Sequence, residues 1–356
     1  MKAFRGGRAC IRPVQLRILS ACLAVGMAAS MFVLWPASED SNLVIYSAMG
    51  PPGALIPAFE KASGLRVTYI NMGGGPLQAR IYAEGAHPRW NVAWFAGDAA
   101  MAALDQAGLL VRHASSDADW TGAGTAQPVW TEAAHAVLPS DGSYAPSGLT
   151  LAGVFVTLRS SPVPARNWQS LPSYPGAVGM VSPVASGTAY PVLSAMMEAT
   201  GGVASGHTLL LALRQHDLGI AASNPLLLGQ LRAGDISLAV LPSETAYTAA
   251  KRDPAIRVTL PEPAGVMPAV LGVSVRASPA ARRAAGLFVR FLLTAEGQRL
   301  IRTSTAEGLG WAPVDHIAAP ADLPPLRSLV LVHPDADLWG QREGSEVGWF
   351  RREITG

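Results

Sequence analysis

The sequence predicts an α/β protein of two domains joined by a two-strand hinge. Strand and helix patterns alternate from Leu43 onward, which argues for mostly parallel sheets. The 356-residue chain is long enough for two domains at roughly 100–200 residues each. Strand-like segments at 153–158 and 270–275 bracket a middle segment that restarts the same rhythm. Residues 42–152 with 271–356 are therefore expected to form lobe 1, and residues 153–270 lobe 2. Ligands of open α/β sheets sit at the carboxyl ends of strands, so the two lobes would face each other across a cleft.

Each element has a local reason. Residues 43–46 read as a short apolar strand ending in a loop at 47–52. Ala54, Leu55, Ala58 and Phe59 follow at helical spacing, and Gly64 closes that helix. A strand at 65–70 leads to Gly73-Gly74-Gly75, and Pro76 suits the first position of a helix that runs to Glu84. Residues 91–95 are strand-like, and Asp98 reads as the N-cap of a helix closed by Gly108.

The middle segment has strands at 153–158 and 177–181. After a hydroxyl-bearing loop, Val192, Ala195, Met196 and Ala199 recur at i, i+3, i+4, i+7 until Gly201-Gly202 stops the helix. Helices are expected at 209–215 and 225–232, and a strand at 236–241 ends in the loop Pro242-Ser243-Glu244. An amphipathic helix covers 279–293, and Thr294 caps the next. The stretch beyond Pro313, rich in Pro and polar residues, is expected to wrap the surface.

Composition narrows the function. The chain is 49% hydrophobic and 15% charged, with a net charge of +2. The basic excess is local: Lys2, Arg5, Arg8, Arg12 and Arg17 all precede the first acid, Glu39. The remainder carries 22 basic against 25 acidic residues, so no nucleic-acid footprint exists. Those basic residues lead into the uncharged, largely apolar run 18–35, within a targeting element at 1–38 that reads as a signal peptide or a retained N-terminal anchor. Ala28-Ala29-Ser30 offers a cleavage site, and Leu19-Ser20-Ala21-Cys22 a badly placed lipoprotein pattern. Each alternative exports the body to a periplasmic or extracytoplasmic location. Both cysteines, Cys10 and Cys22, lie in this element, which leaves the body without a disulfide, a thiolate metal site or a cysteine nucleophile.

The chemistry-bearing residues cluster in strand-to-helix loops. Helix N-termini present free N–H groups and positive dipole ends and so favour anions. Ser47 lies in the first such loop, Gly73 and Gly74 in the second, and Ser186, Gly187 and Thr188 in the fourth. Ser243, Glu244 and nearby Tyr247 follow a later strand, and Glu244 is the candidate partner for an amine. Each loop alone could be an ordinary cap; convergence on one cleft is what would make them a ligand site. Tyr46, Trp94 and Tyr190 read as core or cleft wall. The seven histidines have no metal spacing, and no hydrolase or Walker pattern occurs. No catalytic residue, metal or cofactor is expected.

Three blocks resemble the bacterial extracellular solute-binding proteins of ABC transporters, in particular the ferric, phosphonate and thiamine group. They are LVIYSAMGPPGALIPAFEKASGLRVTYI, MGGGPLQARIYAEGAHPRWNVAWFAGDAAMAALDQAGLL and NWQSLPSYPGAVGMVSPVASGTAY. LRAGDISLAV and FVRFLLTAEGQRLI resemble later blocks, so the likeness covers residues 42–315. It implies the two-lobed type II periplasmic-binding-protein fold, closing over a small solute that passes to a membrane permease and its ATPase. A monomer is the expected state. The resemblance places an anion contact on Ser186, Gly187 and Thr188. It also exposes departures: loop 47–53 has no His, the acid's place falls near Ala96, and the tyrosine pair's place falls near Ser243-Glu244. Hard ferric ligands are thus missing, and an anionic or zwitterionic, phosphonate-like solute fits better. The alternatives are a ferric binder with atypical ligands, a sensor subunit, or an enzyme. The thiamine-cleaving relatives' cysteine is absent from the body.

Overall fold

The computed structural model describes residues 42–112, 128–161, 165–304 and 310–356. The expected signal or anchor segment and both cysteines lie outside the described residues. Among the described residues, no helix is long and apolar enough to cross a membrane.

Two mixed sheets organise the body. The first contains β1 (Asn42–Ser47), β2 (Arg66–Asn71), β3 (Val92–Ala96), β4 (Tyr144–Ala152), β10 (Ala264–Val273) and β11 (Leu331–Val332). Its order is β11-β10-β3-β1-β2, with β4 also paired to β10. The second contains β5 (Val154–Leu158), β6 (Val178–Val181), β7 (Gly219–Ala221), β8 (Leu238–Leu241) and β9 (Ile256–Thr259), in the order β7-β6-β8-β5-β9. The β1–β2, β1–β3, β6–β7 and β6–β8 pairs are parallel. The strands that enter and leave the second sheet pair antiparallel, β4 with β10 and β5 with both β8 and β9. Both sheets are therefore more mixed than the βα rhythm predicts.

The helices are α1 (Leu55–Ser63), α2 (Gly74–Glu84), α3 (Ala99–Gln106), α4 (Glu132–His135), α5 (Ala189–Ala199), α6 (Val203–Gln215), α7 (Asn224–Ala233), α8 (Ser243–Arg252), α9 (Pro279–Leu292), α10 (Ala295–Ser304) and α11 (Ala336–Phe350). α9 lays its apolar face on the first sheet. Phe288 meets Phe59 edge-on at 5.1 Å and Trp94 at 5.8 Å between ring centroids. In the second lobe, Val154, Val156, Ala239 and Leu241 pack with Leu227 and Leu231 of α7. Burying a side chain of this size stabilises by about 1.5–3 kcal/mol, so these faces set the lobes' stability.

The strand pair β4–β10 forms the root of the crossing between sheets. Ser147 pins it: its hydroxyl donates to the Ala269 carbonyl at 3.1 Å and accepts from the Trp94 indole at 2.9 Å. The Gln298 amide of α10 donates to the Ser147 carbonyl at 2.7 Å. Thr294 caps α10 as the sequence predicts, accepting from Gly297 N at 3.0 Å. Gly153 alone separates β4 from β5, with φ +76°.

Beyond Pro313 the chain is irregular and largely exposed as far as residue 330, but it ends in a packed helix. α11 packs on α3, where Gly340 comes so near that a Cβ there would lie 2.7 Å from the Ala99 carbonyl oxygen. It also reaches the second lobe, where Trp339, Phe350 and Ile354 are buried with α5 and α6. Tyr190 donates to the Trp339 carbonyl at 2.5 Å, and Trp339 Nε1 donates to Glu198 at 2.9 Å. His207 of α6 stacks on Trp349 at 3.6 Å and bonds Glu346 at 2.7 Å.

Candidate functional site

The parallel core of each sheet decides where its helices begin. β1 lies between β2 and β3, and β6 between β7 and β8. The helices that follow β2, β3, β6 and β7 start at these reversal points, where ligands of open sheets bind. A cleft of about 430 Å³ lies there, walled by Gly73–Pro76 and Ala96–Gly97 from the first lobe. Residues 183–188 and 223–225 form the opposite wall.

Four helices, α2, α3, α5 and α7, thus point their N-terminal ends into one cleft. The first turn of any helix has N–H groups without intrahelical acceptors, and aligned dipoles make that end positive. α2 and α5 begin without a side-chain cap, whereas Ser223 caps α7 by accepting from Leu226 N. The lobes approach closely here: a Cβ on Gly187 would stand 3.0 Å from the Gly74 nitrogen. Glycine on both sides lets the two backbones meet over the cleft.

The polar side chains form a chain along the second-lobe wall. Ser186 and Thr188 hydroxyls lie 3.3 Å apart, and Asn224 Nδ2 approaches Thr188 Oγ1 at 3.4 Å and Thr245 Oγ1 at 3.5 Å. Thr245 donates to Glu244 Oε1 at 3.2 Å. Glu343 of α11 also lines the cleft, and burial pushes its carboxyl pKa up. Among the described residues, no lysine or arginine lines the cleft.

The predicted residues divide accordingly. Gly73, Gly74, Ser186, Gly187 and Thr188 line the cleft together. Ser47 does not; it is fully buried, with its hydroxyl accepting from Met49 N at 3.0 Å and from the Tyr69 phenol at 2.7 Å. Burial pushes the Tyr69 pKa up to about 12, so that phenol remains a donor. Ser243 anchors the start of α8 to β4 by accepting from Leu151 N at 2.8 Å. Glu244 is 2% exposed in the first turn of α8, and connects to the cleft through Thr245 and Asn224. Tyr247 packs against the second-lobe core. Sequence reasoning missed Asn224 and Glu343. Asn224 was legible as the polar residue between a Ser cap and a first-turn proline, while Glu343 depends on a helix that was not foreseen.

The family of bacterial extracellular solute-binding proteins matches residues 43–304. The chain belongs to that family. No curated protein is significantly similar in sequence. Among solved structures, iron-bound HitA from Pseudomonas aeruginosa is 20% identical, with a TM-score of 0.69 over 88% of this chain and 99% of that one. AfuA from Actinobacillus pleuropneumoniae, with exogenous fructose-6-phosphate bound, is 18% identical, with a TM-score of 0.71 over 88% and 98%. FutA from Trichodesmium, in complex with iron and citrate, is 14% identical, with a TM-score of 0.65 over 88% and 99%. The solute-binding protein therefore has the type II periplasmic-binding fold, and α11 falls beyond the matched family segment. The family makes it an extracellular solute-binding protein.

One buried carboxyl in the first lobe gives a pH signature. Asp98, at the start of α3, is 9% exposed. Burial, with help from Asp335 and Asp337, raises its pKa from 3.8 to about 7. The folded protein then holds a proton that the unfolded chain releases, so stability falls as pH rises from about 4 to about 7. Asp98→Asn is expected to raise the melting temperature above neutral pH and to change it little near pH 4, as read by thermal unfolding across pH.

Proposed function

We infer that the protein captures a small organic anion or zwitterion, phosphonate-like in charge, and delivers it to its permease. The convergence of the α2, α3, α5 and α7 N-termini on a cleft without a basic side chain carries this reading. The acidic head would be held by amides at Gly74, Gly187 and Thr188 and by the Ser186 and Thr188 hydroxyls, with Gly73 shaping the approach. Asn224 Nδ2 adds a donor beside them. Glu343 stands where an amine at the other end would meet it, the role that Glu244 was expected to take. Closure over the solute is expected to shift the lobes from an open to a closed population.

HitA and FutA were solved with iron, but ferric ion needs several anionic oxygen ligands. The cleft offers Glu343 and the Tyr190 phenol, which is committed to the Trp339 carbonyl. The iron reading is therefore the weaker one. Hydrogen bonds to a charged group contribute roughly 1.5–3 kcal/mol each. Ser186→Ala with Thr188→Ala is thus expected to weaken an acidic ligand by about tenfold or more in calorimetric titration. Unchanged affinity would remove these hydroxyls from the site.

A further inference from the structure

One line of hydrogen bonds runs from the interior of the second lobe to the solute cleft. Glu244, 2% exposed in the first turn of α8, is its inner end. Thr245 donates to Glu244 Oε1 at 3.2 Å. Asn224 Nδ2 lies 3.5 Å from Thr245 Oγ1 and 3.4 Å from Thr188 Oγ1. Ser186 Oγ is 3.3 Å from Thr188 Oγ1. Ser186, Thr188 and Asn224 line the cleft, and Thr245 and Glu244 lie behind them.

Counting hydrogens along this line fixes its direction. A hydroxyl has one hydrogen, and a carboxylate oxygen only accepts. Thr245 gives its hydrogen to Glu244, so toward Asn224 it can only accept. The amide must then turn its NH2 group to Thr245, and the same group meets Thr188 as a donor. That orientation does not suit Asn224 itself, because it leaves Oδ1 buried with no partner among the described residues. The acid at the inner end accounts for the orientation; the amide's own hydrogen bonding does not.

The consequence falls on the contact with the solute. Thr188 accepts from Asn224 and so keeps its own hydrogen. Thr188 and Ser186 then hold two hydrogens between them and use at most one on each other. At least one is left for the solute. With the amide reversed, Oδ1 would take the Thr188 hydrogen, and Ser186 would be free to donate to Thr188. The pair would then meet the solute with lone pairs alone, which repel an anion.

We propose that Glu244 is a positioning residue for solute capture: through Thr245 and Asn224 it makes the Ser186–Thr188 pair a hydrogen-bond donor and so selects an acidic solute. This rests on the anionic reading of the solute given above. Thr245→Val keeps the shape and removes the hydroxyl, Thr245→Ser keeps the hydroxyl, and Glu244→Leu removes the acid. Thermal unfolding verifies that each variant is folded; should Glu244→Leu not fold, Thr245→Val breaks the same line at a half-buried residue. The first measurement is solvent exchange of the Asn224 side-chain amide by NMR in solute-free, asparagine-labelled protein, its signal assigned by loss in Asn224→Ala. Exchange is expected to speed up about tenfold or more in Thr245→Val and Glu244→Leu and to stay near wild type in Thr245→Ser. The second is calorimetric titration with methylphosphonate. Thr245→Val is expected to weaken it about fivefold or more, Thr245→Ser far less. That loss should vanish when Thr188→Val is already present, because linked residues do not add. Unchanged exchange in Thr245→Val, or losses that add in the double variant, would overturn the proposal. A wild type that does not bind methylphosphonate would count against the anionic reading of the cleft, and the exchange measurement would still decide the relay.

Discussion

Ser186→Glu is expected to abolish capture of the acidic solute, with affinity falling on the order of a hundredfold or more. Ser186 lies beside Thr188 at the start of α5, on the wall where the helix N-termini converge. A carboxylate there would occupy the positive ends itself and face the bound anion. At an effective dielectric of about 20, two like charges at 4 Å repel by about 4 kcal/mol. Ser186→Gln has a similar shape without the charge and is expected to lose far less. The pair of variants separates charge from bulk, and calorimetry reads both. A solute whose binding is improved by Ser186→Glu would be a cation, and the helix-dipole account of the cleft would fail.

Gly153→Val is expected to lower the melting temperature by about 5 °C, the largest stability effect of any single site discussed. The residue adopts φ +76° between β4 and β5, a region that costs a side-chain-bearing residue about 1–2 kcal/mol. A Cβ there would stand 2.5 Å from the ring of Trp168, which is itself buried edge-on against Phe155 at 5.2 Å. Overpacking of this kind typically costs about 1–3 kcal/mol. The two together, at roughly 1.5 °C per kcal/mol for a chain of this size, give the expected shift. An unchanged transition would mean that the crossing between the sheets tolerates a backbone other than the one described.

The legible parts of the fold were those in which a single face repeats. β1, β3, β6 and β8 are short, mostly apolar runs, β2 alternates polar and apolar residues, and α9 has a clean amphipathic stripe, so patterning alone located them. β4 was not foreseen: Pro146, Ser147 and Gly148 are poor strand formers. Pairing with β10, and Ser147's bonds to Ala269 and Trp94, hold that segment extended despite its composition. α11 was hidden for a related reason. Gly340, Gly344 and Gly348 depress its helical propensity, while its stability comes from close contact with α3 and from burying Trp339 and Phe350. The cleft glycines and the Ser186–Thr188 pair were legible because the groups that begin helices are also the groups that meet an anion. Glu343 was not, since its place depends on α11. Ser47 and Ser243 sit in the right loops, but spend their hydroxyls on Met49, Tyr69 and Leu151, which only packing reveals.

Native mass spectrometry of the freshly purified protein, compared with the same sample after denaturation, tests the central claim most directly. The account predicts a released small molecule that is metal-free and carries an acidic group, absent from the Ser186→Glu variant purified in parallel. A bound ferric ion, or a neutral or purely cationic compound released from the wild type and retained by Ser186→Glu, would contradict it.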